Sequence, residues 1–350
     1  MASPTNRIMG LGLACPVGLT HAAAEAALRA GISRVVEHES VGGPTGSVRG
    51  MMLSTLDPTA GRGDRAFALA RYALAEAFEA HESLVQQRPV PCFLCLPAPG
   101  VGPDVTARDA TRELSKIVLA SGQSVSLVIG PKRCFTSGRA GTFEALRSAL
   151  DLLSLAQEPC AVVGGLDSRV DAETLSALVA NNGLLSKTNP DGILPSEAAG
   201  FVLLGTPAVV SRRDCFGRVI ANHVAQESIP FNAGADKVSP ALGLSAVFRS
   251  LRTQLGFRVD EVSAGVTGQV YFGREFSHAY LRNASLMPEP LVCRPLADEL
   301  GDVGAAAGAV ALVRAVTRLR KFGSTAGVQH VLAYASSDAG RVGGCVVGPA

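Results

Sequence analysis

Short apolar runs bounded by Gly or Pro recur along the chain and predict buried strands. These runs span residues 7–14, 90–96, 124–129, 160–164, 200–205, 218–223, 328–334 and 343–347. Their apolar positions are continuous rather than alternating, a pattern typical of strands covered on both faces of a sheet. The sequence therefore predicts a largely buried sheet.

Segments with helical periodicity lie between these runs and predict helices. They span residues 20–30, 62–86, 141–155 and 304–319. The first begins at Thr20, a residue that can cap a helix N-terminus, and stops at Gly31. Because strands and helices alternate, we expect an α/β fold built in layers, with Gly- and Pro-rich loops at 42–63 and 181–195.

The order of predicted elements in the second part of the chain repeats that of the first. Each part has an early strand, an amphipathic helix, a strand, a Gly/Ala-rich helix and a closing pair of strands. This order indicates a duplication whose seam lies near Leu204 to Gly217. We therefore predict two halves, residues 1–210 and 211–350.

Composition excludes several classes of protein. The chain is 47% hydrophobic and 18% charged with a formal charge of +2, which excludes a disordered chain and gives no basis for binding nucleic acid. No apolar run approaches the roughly 20 residues that span a bilayer, and residues 1–7 lack a signal-peptide pattern. Eight scattered cysteines suit a reduced compartment, so we expect a cytoplasmic protein.

Two motifs could suggest a metal or a cofactor, and each lacks a necessary part. Cys92 and Cys95 have CxxC spacing, but no second pair completes a zinc site. The Gly10-Leu-Gly12 strand lacks the third Gly of a dinucleotide-binding fingerprint. We therefore expect neither a metal nor a cofactor.

Four segments, in order, resemble motifs of the β-ketoacyl synthases. They are Gly10-Leu-Gly-Leu-Ala-Cys-Pro-Val-Gly18, Ala161-Val-Val-Gly-Gly-Leu-Asp167, Asp191-Gly-Ile-Leu-Pro-Ser-Glu-Ala-Ala-Gly200 and Gly301-Asp-Val-Gly-Ala-Ala-Ala-Gly308. The resemblance covers nearly the whole chain. It implies the thiolase-like fold, in which two duplicated βαβαβαββ halves form a five-layered αβαβα sandwich.

The resemblance also implies an acyl-transfer or condensing site, with a Cys nucleophile at the start of a buried helix and two supporting His residues. Counting back from Gly164 without gaps puts Arg139 at the nucleophile position. Ser137 would match with a small insertion and Cys134 with a larger one, and Cys134-Phe-Thr-Ser resembles the Cys-Ala-Thr-Ser of the family. Packing at the end of a strand is the favoured interpretation of Cys134, because buried cysteines are more often structural than reactive.

The positions that match the two family His residues carry other side chains. Thr267 stands at the first and Asp302 at the second, and an ionised Asp only accepts hydrogen bonds, so it cannot stabilise an enolate as His does. We predict instead a buried ion pair between Arg139 and Asp302. The Lys that pairs with the equivalent of Glu197 in the family maps to Ala297, so Glu197 needs another partner, for which Arg294 and Arg139 are candidates.

Three functions fit this pattern. The first is a ketosynthase-like protein that has lost condensing activity and acts as a partner subunit or an acyl- or partner-binding protein. The second is an acyltransferase of the β-ketoacyl synthase type that uses Cys134 on acyl-CoA or acyl-carrier-protein thioesters. The third is an assembly protein that uses only the dimeric scaffold. The resemblance implies a homodimer or a ketosynthase-like heterodimer, with residues 124–129 as the matching dimer strand, and acyl carrier protein or acyl-CoA as a further partner.

Overall fold

The computed structural model describes residues 6–43, 46–86, 88–234, 238–322 and 327–350. Within them the chain forms fourteen strands: β1 (Arg7–Ala14), β2 (Val35–Gly43), β3 (Gly46–Met51), β4 (Val90–Cys95), β5 (Lys116–Val118), β6 (Ser124–Val128), β7 (Cys134–Phe135), β8 (Cys160–Ser168), β9 (Glu197–Gly205), β10 (Gly217–Gln226), β11 (Glu261–Gly265), β12 (Cys293–Pro295), β13 (Val331–Ser336) and β14 (Arg341–Gly348).

The same residues form ten α-helices: α1 (His21–Arg29), α2 (Arg62–Glu79), α3 (Glu82–Val85), α4 (Ala107–Leu114), α5 (Gly141–Ser154), α6 (Ala172–Ala180), α7 (Leu242–Leu255), α8 (Val270–Arg282), α9 (Ala297–Leu300) and α10 (Ala307–Phe322). Single 3₁₀ turns, Gly138–Ala140 and Gly304–Ala306, lead directly into α5 and α10.

Twelve strands form one sheet that consists of two similar parts. The first part has the order β1-β9-β8-β4-β6, with β5 beyond β6 and β7 beside β4, and the second has the order β10-β14-β13-β11-β12. In both, the first two pairings are antiparallel and the next two are parallel. The parts meet where β1 pairs with β10 at Arg7–Arg218 and Ile8–Gly217. This repetition is the duplication expected of the predicted fold class.

Helices and strands stack in five layers. Helices α5 and α10 lie between the two parts of the sheet and bury one core. Helix α2 covers the outer face of the first part over a second core, and α7 and α8 cover the second part over a third. The predicted αβαβα sandwich is confirmed. The half boundary at residue 210, in the segment between β9 and β10, stays a prediction.

Glycine packing explains the Gly-Leu-Gly motif of β1. A Cβ atom on Gly12 would lie 1.7 Å from the carbonyl oxygen of Ala73 in α2, and one on Gly10 would lie 2.0 Å from that of Ala77. The motif therefore serves the close approach of α2 to the sheet.

Two local predictions were wrong. The helix predicted at 62–86 ends at Glu79, and a separate short helix follows after His81. The loop predicted at 42–63 contains β3, which pairs with β2 in a hairpin. The dimer strand expected at residues 124–129 stays a prediction; within the chain, β6 pairs with β4 on one side and with β5 on the other. The strand that directly precedes α5 is β7, which pairs with β4.

Candidate functional site

The N-terminal ends of α5 and α10 meet between the two parts of the sheet, and opposite charges lie at their meeting point. Arg139 occupies the turn ahead of α5, and Asp302 precedes the turn ahead of α10. The Nη2 atom of Arg139 lies 2.8 Å from Oδ2 of Asp302, and its Nε lies 3.2 Å from Oδ1. Both residues are 3% exposed. The predicted buried ion pair is present, and it joins the first half to the second.

Two further residues complete this cluster, which we call the Arg139 cluster: Arg139, Asp302, Arg169 and Asp338. Arg169, just after β8, donates from Nη1 to Oδ2 of Asp302. Asp338, in the turn between β13 and β14, accepts from Nη1 of Arg139 at 2.6 Å. The cluster thus balances two guanidinium groups against two carboxylates, as a buried set of charges requires.

Charge balance sets the protonation state of Asp302. Burial on its own would raise the pKa of this carboxyl, but the guanidinium groups of Arg139 and Arg169 and a hydrogen bond from the backbone N–H of Gly304 hold it well below its ordinary value. Burial would likewise lower the pKa of Arg139, and Asp302 and Asp338 raise it instead. Both partners are therefore charged at neutral pH.

A second buried pair flanks the cluster and also reaches the start of α10. Arg62, in the first turn of α2, donates from Nε to Oδ1 of Asp167 at 2.9 Å, and Oδ2 of Asp167 accepts from the backbone N–H of Ala305 at 2.9 Å. Gly304 adopts a positive φ of 54° here, and a Cβ atom on it would lie 2.0 Å from Asp167. The sequence places a glycine where the carboxylate must approach.

Side chains of the chain itself already bind the backbone donors at both helix starts. Asp302 and Asp167 accept from the first N–H groups ahead of α10. The hydroxyl of Ser337 accepts from the N–H of Ala140 ahead of α5 at 2.9 Å. Helix N-termini are ready-made anion sites and serve as oxyanion holes in acyl transfer. Here those donors are engaged by internal oxygens.

Cys134 lies away from these helix starts. It is a half-buried residue of β7, five positions before Arg139, and it packs at the edge of the core under α2. Burial raises the pKa of its thiol to about 11. A nucleophilic Cys has its pKa lowered by a helix N-terminus or a cation, so this environment is that of a structural Cys.

Ser137 and Thr267 occupy different settings. Ser137 is half-buried at the start of the turn that holds Arg139, and it lines a cavity of about 420 Å³ together with Arg62 and Asp338. Thr267 is buried in the loop after β11, and its hydroxyl donates to Oε1 of Gln269 at 2.9 Å. The hydroxyl of Thr267 is therefore engaged in a local hydrogen bond.

The partner of Glu197 is Arg65, which corrects the expectation of Arg294 or Arg139. Arg65, one turn into α2, donates from Nη2 to Oε1 at 2.7 Å and from Nε to Oε2 at 2.8 Å. The backbone N–H of Leu53 donates to the same carboxylate at 2.7 Å. Arg294 lies near Glu261 instead, with Nε 3.5 Å from the carboxylate.

A larger cavity of about 920 Å³ opens next to the Arg139 cluster. Its wall includes Arg139, Arg169 and Asp338, the loop that contains Asn181 and Asp191, and the start of α8. The two cavities share the Arg139 cluster residues Arg139, Arg169 and Asp338 along their boundary. The cluster therefore lies at the floor of a polar cleft between the two halves.

From the sequence we predicted Arg139, Asp302 and Glu197, but neither their partners Arg65, Arg169 and Asp338 nor the pair of Arg62 with Asp167. For Asp167 and Arg169 a signal was present. Asp167 stands where the family motif has Glu, and Arg169 follows it by two residues in a buried run. A buried arginine at the end of a fully buried strand needs a carboxylate, and only the fold shows which one.

Comparison with known proteins rests on structure. No protein-family model and no curated protein matches the sequence. Among solved structures, the chain is similar to the ishigamide ketosynthase/chain length factor, with 17% identity, a TM-score of 0.77 and 100% of both chains covered. It is also similar to a ketosynthase domain of oxazolomycin synthesis from Streptomyces albus JA3453, with 15% identity and a TM-score of 0.75, covering 99% of this chain and 74% of that one.

A third solved structure is a complex of two proteins. It is a type II acyl-carrier protein in complex with its ketosynthase bound to the hexaketide, with 14% identity, a TM-score of 0.75, and 99% of this chain and 100% of that one covered. Such likeness over full chains, together with the duplicated five-layer architecture, agrees with the resemblance of the sequence motifs. The protein has the thiolase-like fold that ketosynthases and chain length factors share.

Proposed function

We propose that this protein is a ketosynthase-like subunit without condensing activity, which acts as a partner or binding subunit. The observation that carries the proposal is the position of Arg139. It lies at the start of the buried helix α5, where the family places its nucleophile, and it pairs with the buried carboxylate of Asp302 and the partly exposed carboxylate of Asp338. A guanidinium is protonated throughout the physiological pH range and has no electron pair to attack a thioester.

The surroundings of Arg139 support the same conclusion. Asp302 stands where the family has a His, and its depressed pKa keeps it an anion that cannot donate to a developing enolate. The N–H groups at both helix starts already bind internal oxygens. Condensation needs a nucleophile, a donor and an oxyanion hole, and in this chain each of the three places is taken by another contact.

Cys134 is the alternative nucleophile, and its environment argues against that role. Its pKa of about 11 leaves a small fraction of thiolate at neutral pH, on the order of one part in 10⁴. It belongs to a strand and not to a helix start. We therefore assign Cys134 a packing role in this proposal.

Dimer formation is part of the proposal. Chain length factors share this fold, and the first solved structure named above combines a ketosynthase with one. Strand β7 pairs with β4 on one edge, and within the described strands it has no other neighbour. We propose that β7, ahead of α5, is the subunit contact of a homodimer or of a heterodimer with a condensing ketosynthase. We further propose that the protein is cytoplasmic and that acyl carrier protein or acyl-CoA is a further partner. No helix in the described ranges is long and apolar enough to cross a membrane.

The test is acyl transfer to the protein itself. The purified chain is incubated with acetyl-CoA and hexanoyl-CoA, and intact mass is measured beside a condensing ketosynthase treated in the same way. We expect an acyl adduct on the ketosynthase and none on this chain. The variants Cys134→Ser and, as a matched control, Cys215→Ser are treated in parallel. An adduct that Cys134→Ser abolishes and Cys215→Ser retains would overturn the proposal and establish the acyltransferase.

A further inference from the structure

The cavity of about 920 Å³ has features of a ligand site that do not depend on acyl transfer. It lies between the loop that contains Asn181 to Asp191 on one side and the start of α8 on the other. Its volume falls in the range of about 300–1,000 Å³ that small-molecule sites occupy. Because its walls come from both halves of the chain, it is a cleft formed by the fold, a common location for binding sites.

Three guanidinium groups line this cleft, and they differ in how many hydrogen bonds they form with other residues of the chain. Arg139 uses Nε, Nη1 and Nη2 on Asp302 and Asp338. Arg169 donates Nη1 to Asp302, while its buried Nε has no hydrogen-bond partner. Arg274 is exposed on α8, and across the described ranges it forms no ion pair or hydrogen bond. Among the described residues that line the cleft, three guanidinium groups stand against two carboxylates, those of Asp191 and Asp338.

The acidic side chains that line the cleft already accept hydrogen bonds from other parts of the chain. Oδ1 of Asp191 accepts from the backbone N–H of Val270 at 2.6 Å and so caps the start of α8. Oδ1 of Asp338 accepts from Arg139, while 42% of the Asp338 side chain is exposed. Asp338 therefore shows that a carboxylate fits against the guanidinium group of Arg139 at the floor. Its remaining negative charge opposes a second anion beside it.

The wall of the cleft also offers a surface for an apolar body. Phe231 and Tyr271 lie with ring centroids 5.4 Å apart at an interplanar angle of 70°, and both line the cavity. Leu178 and Ile193 line it from the first half. A flat ring or a short carbon chain packs well on such a surface, because aromatic side chains combine a large apolar area with preferred edge and face contacts.

We propose that this cleft binds a small carboxylic acid with an aromatic or short apolar body, whose carboxylate contacts Arg274 and Arg169. Guanidinium groups match a carboxylate in charge and in planar geometry, which favours this anion. The proposal does not depend on whether the chain has lost condensing activity. The acyl-adduct experiment tests the loss of condensing activity, and equilibrium binding tests the ligand site.

The test uses benzoate as the probe and benzamide as its neutral isostere, measured by isothermal titration calorimetry on the full chain at low ionic strength. We expect benzoate to bind at least about tenfold more tightly than benzamide, since a charge-assisted pair is lost in the amide. Arg274→Gln should weaken benzoate about tenfold. Arg108→Gln, an exposed arginine of α4 outside the cleft, should leave it unchanged.

A second variant should change the affinity for benzoate in the opposite direction. Asp338→Asn removes the negative charge that faces the cleft, so benzoate should bind about fivefold more tightly to it. Thermal melting checks that each variant is folded. The proposal is overturned by any of three results: no benzoate binding, equal binding of benzamide, or equal effects of Arg274→Gln and Arg108→Gln. A weaker affinity in Asp338→Asn would also contradict it.

Discussion

Arg139 and Asp302 meet at 2.8 Å across the interface between the two halves, each at the start of a central helix. The resemblance of the motifs predicts that these two positions match those of catalytic side chains in the ketosynthases. Here they carry opposite charges that neutralise each other in the interior. The same junction that would hold a reacting thioester therefore holds the two halves together.

Removal of Arg139 should destabilise the protein strongly. Arg139→Met leaves Asp302 with one guanidinium partner and Asp338 with none, and breaking a buried pair typically costs about 3–5 kcal/mol. Chemical denaturation measures the free energy of unfolding. The control is Arg71→Met, which breaks an exposed pair with Glu113 and should cost about 1 kcal/mol or less. Equal losses in the two variants would show that the Arg139 cluster contributes no more than a surface pair.

Stability should depend on pH through Glu275, a residue of α8 that is 1% exposed. Burial raises the pKa of this carboxyl to about 7, and one of its oxygens has no hydrogen-bond partner. The folded state therefore binds a proton that the unfolded state has lost between about pH 4.3 and 7. The contribution of Glu275 to the free energy of unfolding is therefore fully present below this pH window, and it is lost as the pH rises through the window to about 7.

The variant Glu275→Gln tests this sign. It should be more stable than the original chain at pH 8, by an amount of the order of 3 kcal/mol, and the difference should shrink towards pH 4. Unfolding is followed by denaturant titration at each pH, with Glu173→Gln on the exposed face of α6 as the control. A gain that is the same at pH 4 and pH 8 would contradict a titrating Glu275.

Cys134 should react slowly with alkylating reagents at neutral pH. With a pKa of about 11, its thiolate fraction rises about tenfold for each pH unit up to pH 10, and the alkylation rate should follow. Peptide mass spectrometry after timed iodoacetamide treatment measures the rate. A rate that is already maximal at pH 7 would mean that the thiol is activated, in support of the acyltransferase.

Gly304 should tolerate no side chain. In Gly304→Ala the new Cβ would lie 2.0 Å from Oδ2 of Asp167, at a positive φ that L residues rarely adopt. Asp167 would have to leave Arg62 or the N–H of Ala305, and we expect a loss of about 2–4 kcal/mol in unfolding free energy. Gly268→Ala is the matched control, because its Cβ would meet open space. Similar melting temperatures for the two variants would rule out this packing role.

The fold and one buried ion pair could be predicted from the sequence. Continuous apolar runs such as Cys160 to Gly164 can only be stable when both faces are covered, so they predicted the central strands. Ungapped motif matches predict Thr267 and Asp302 at the family His positions, which stays a prediction, and the opposite charges of Arg139 and Asp302 predicted a buried pair that is present. These inferences use local pattern and composition, which the chain carries directly.

The other charge pairs became clear only from the packing of the elements. Glu197 pairs with Arg65, 132 residues away, and Asp302 shares Arg139 with Asp338 from a different turn. Such partners depend on how α2, β8 and the β13–β14 turn pack, and no spacing in the sequence encodes that. The cleft with Arg274 was equally hidden, because its walls come from both halves. Fold followed from patterns within each element, whereas the site followed from contacts between elements.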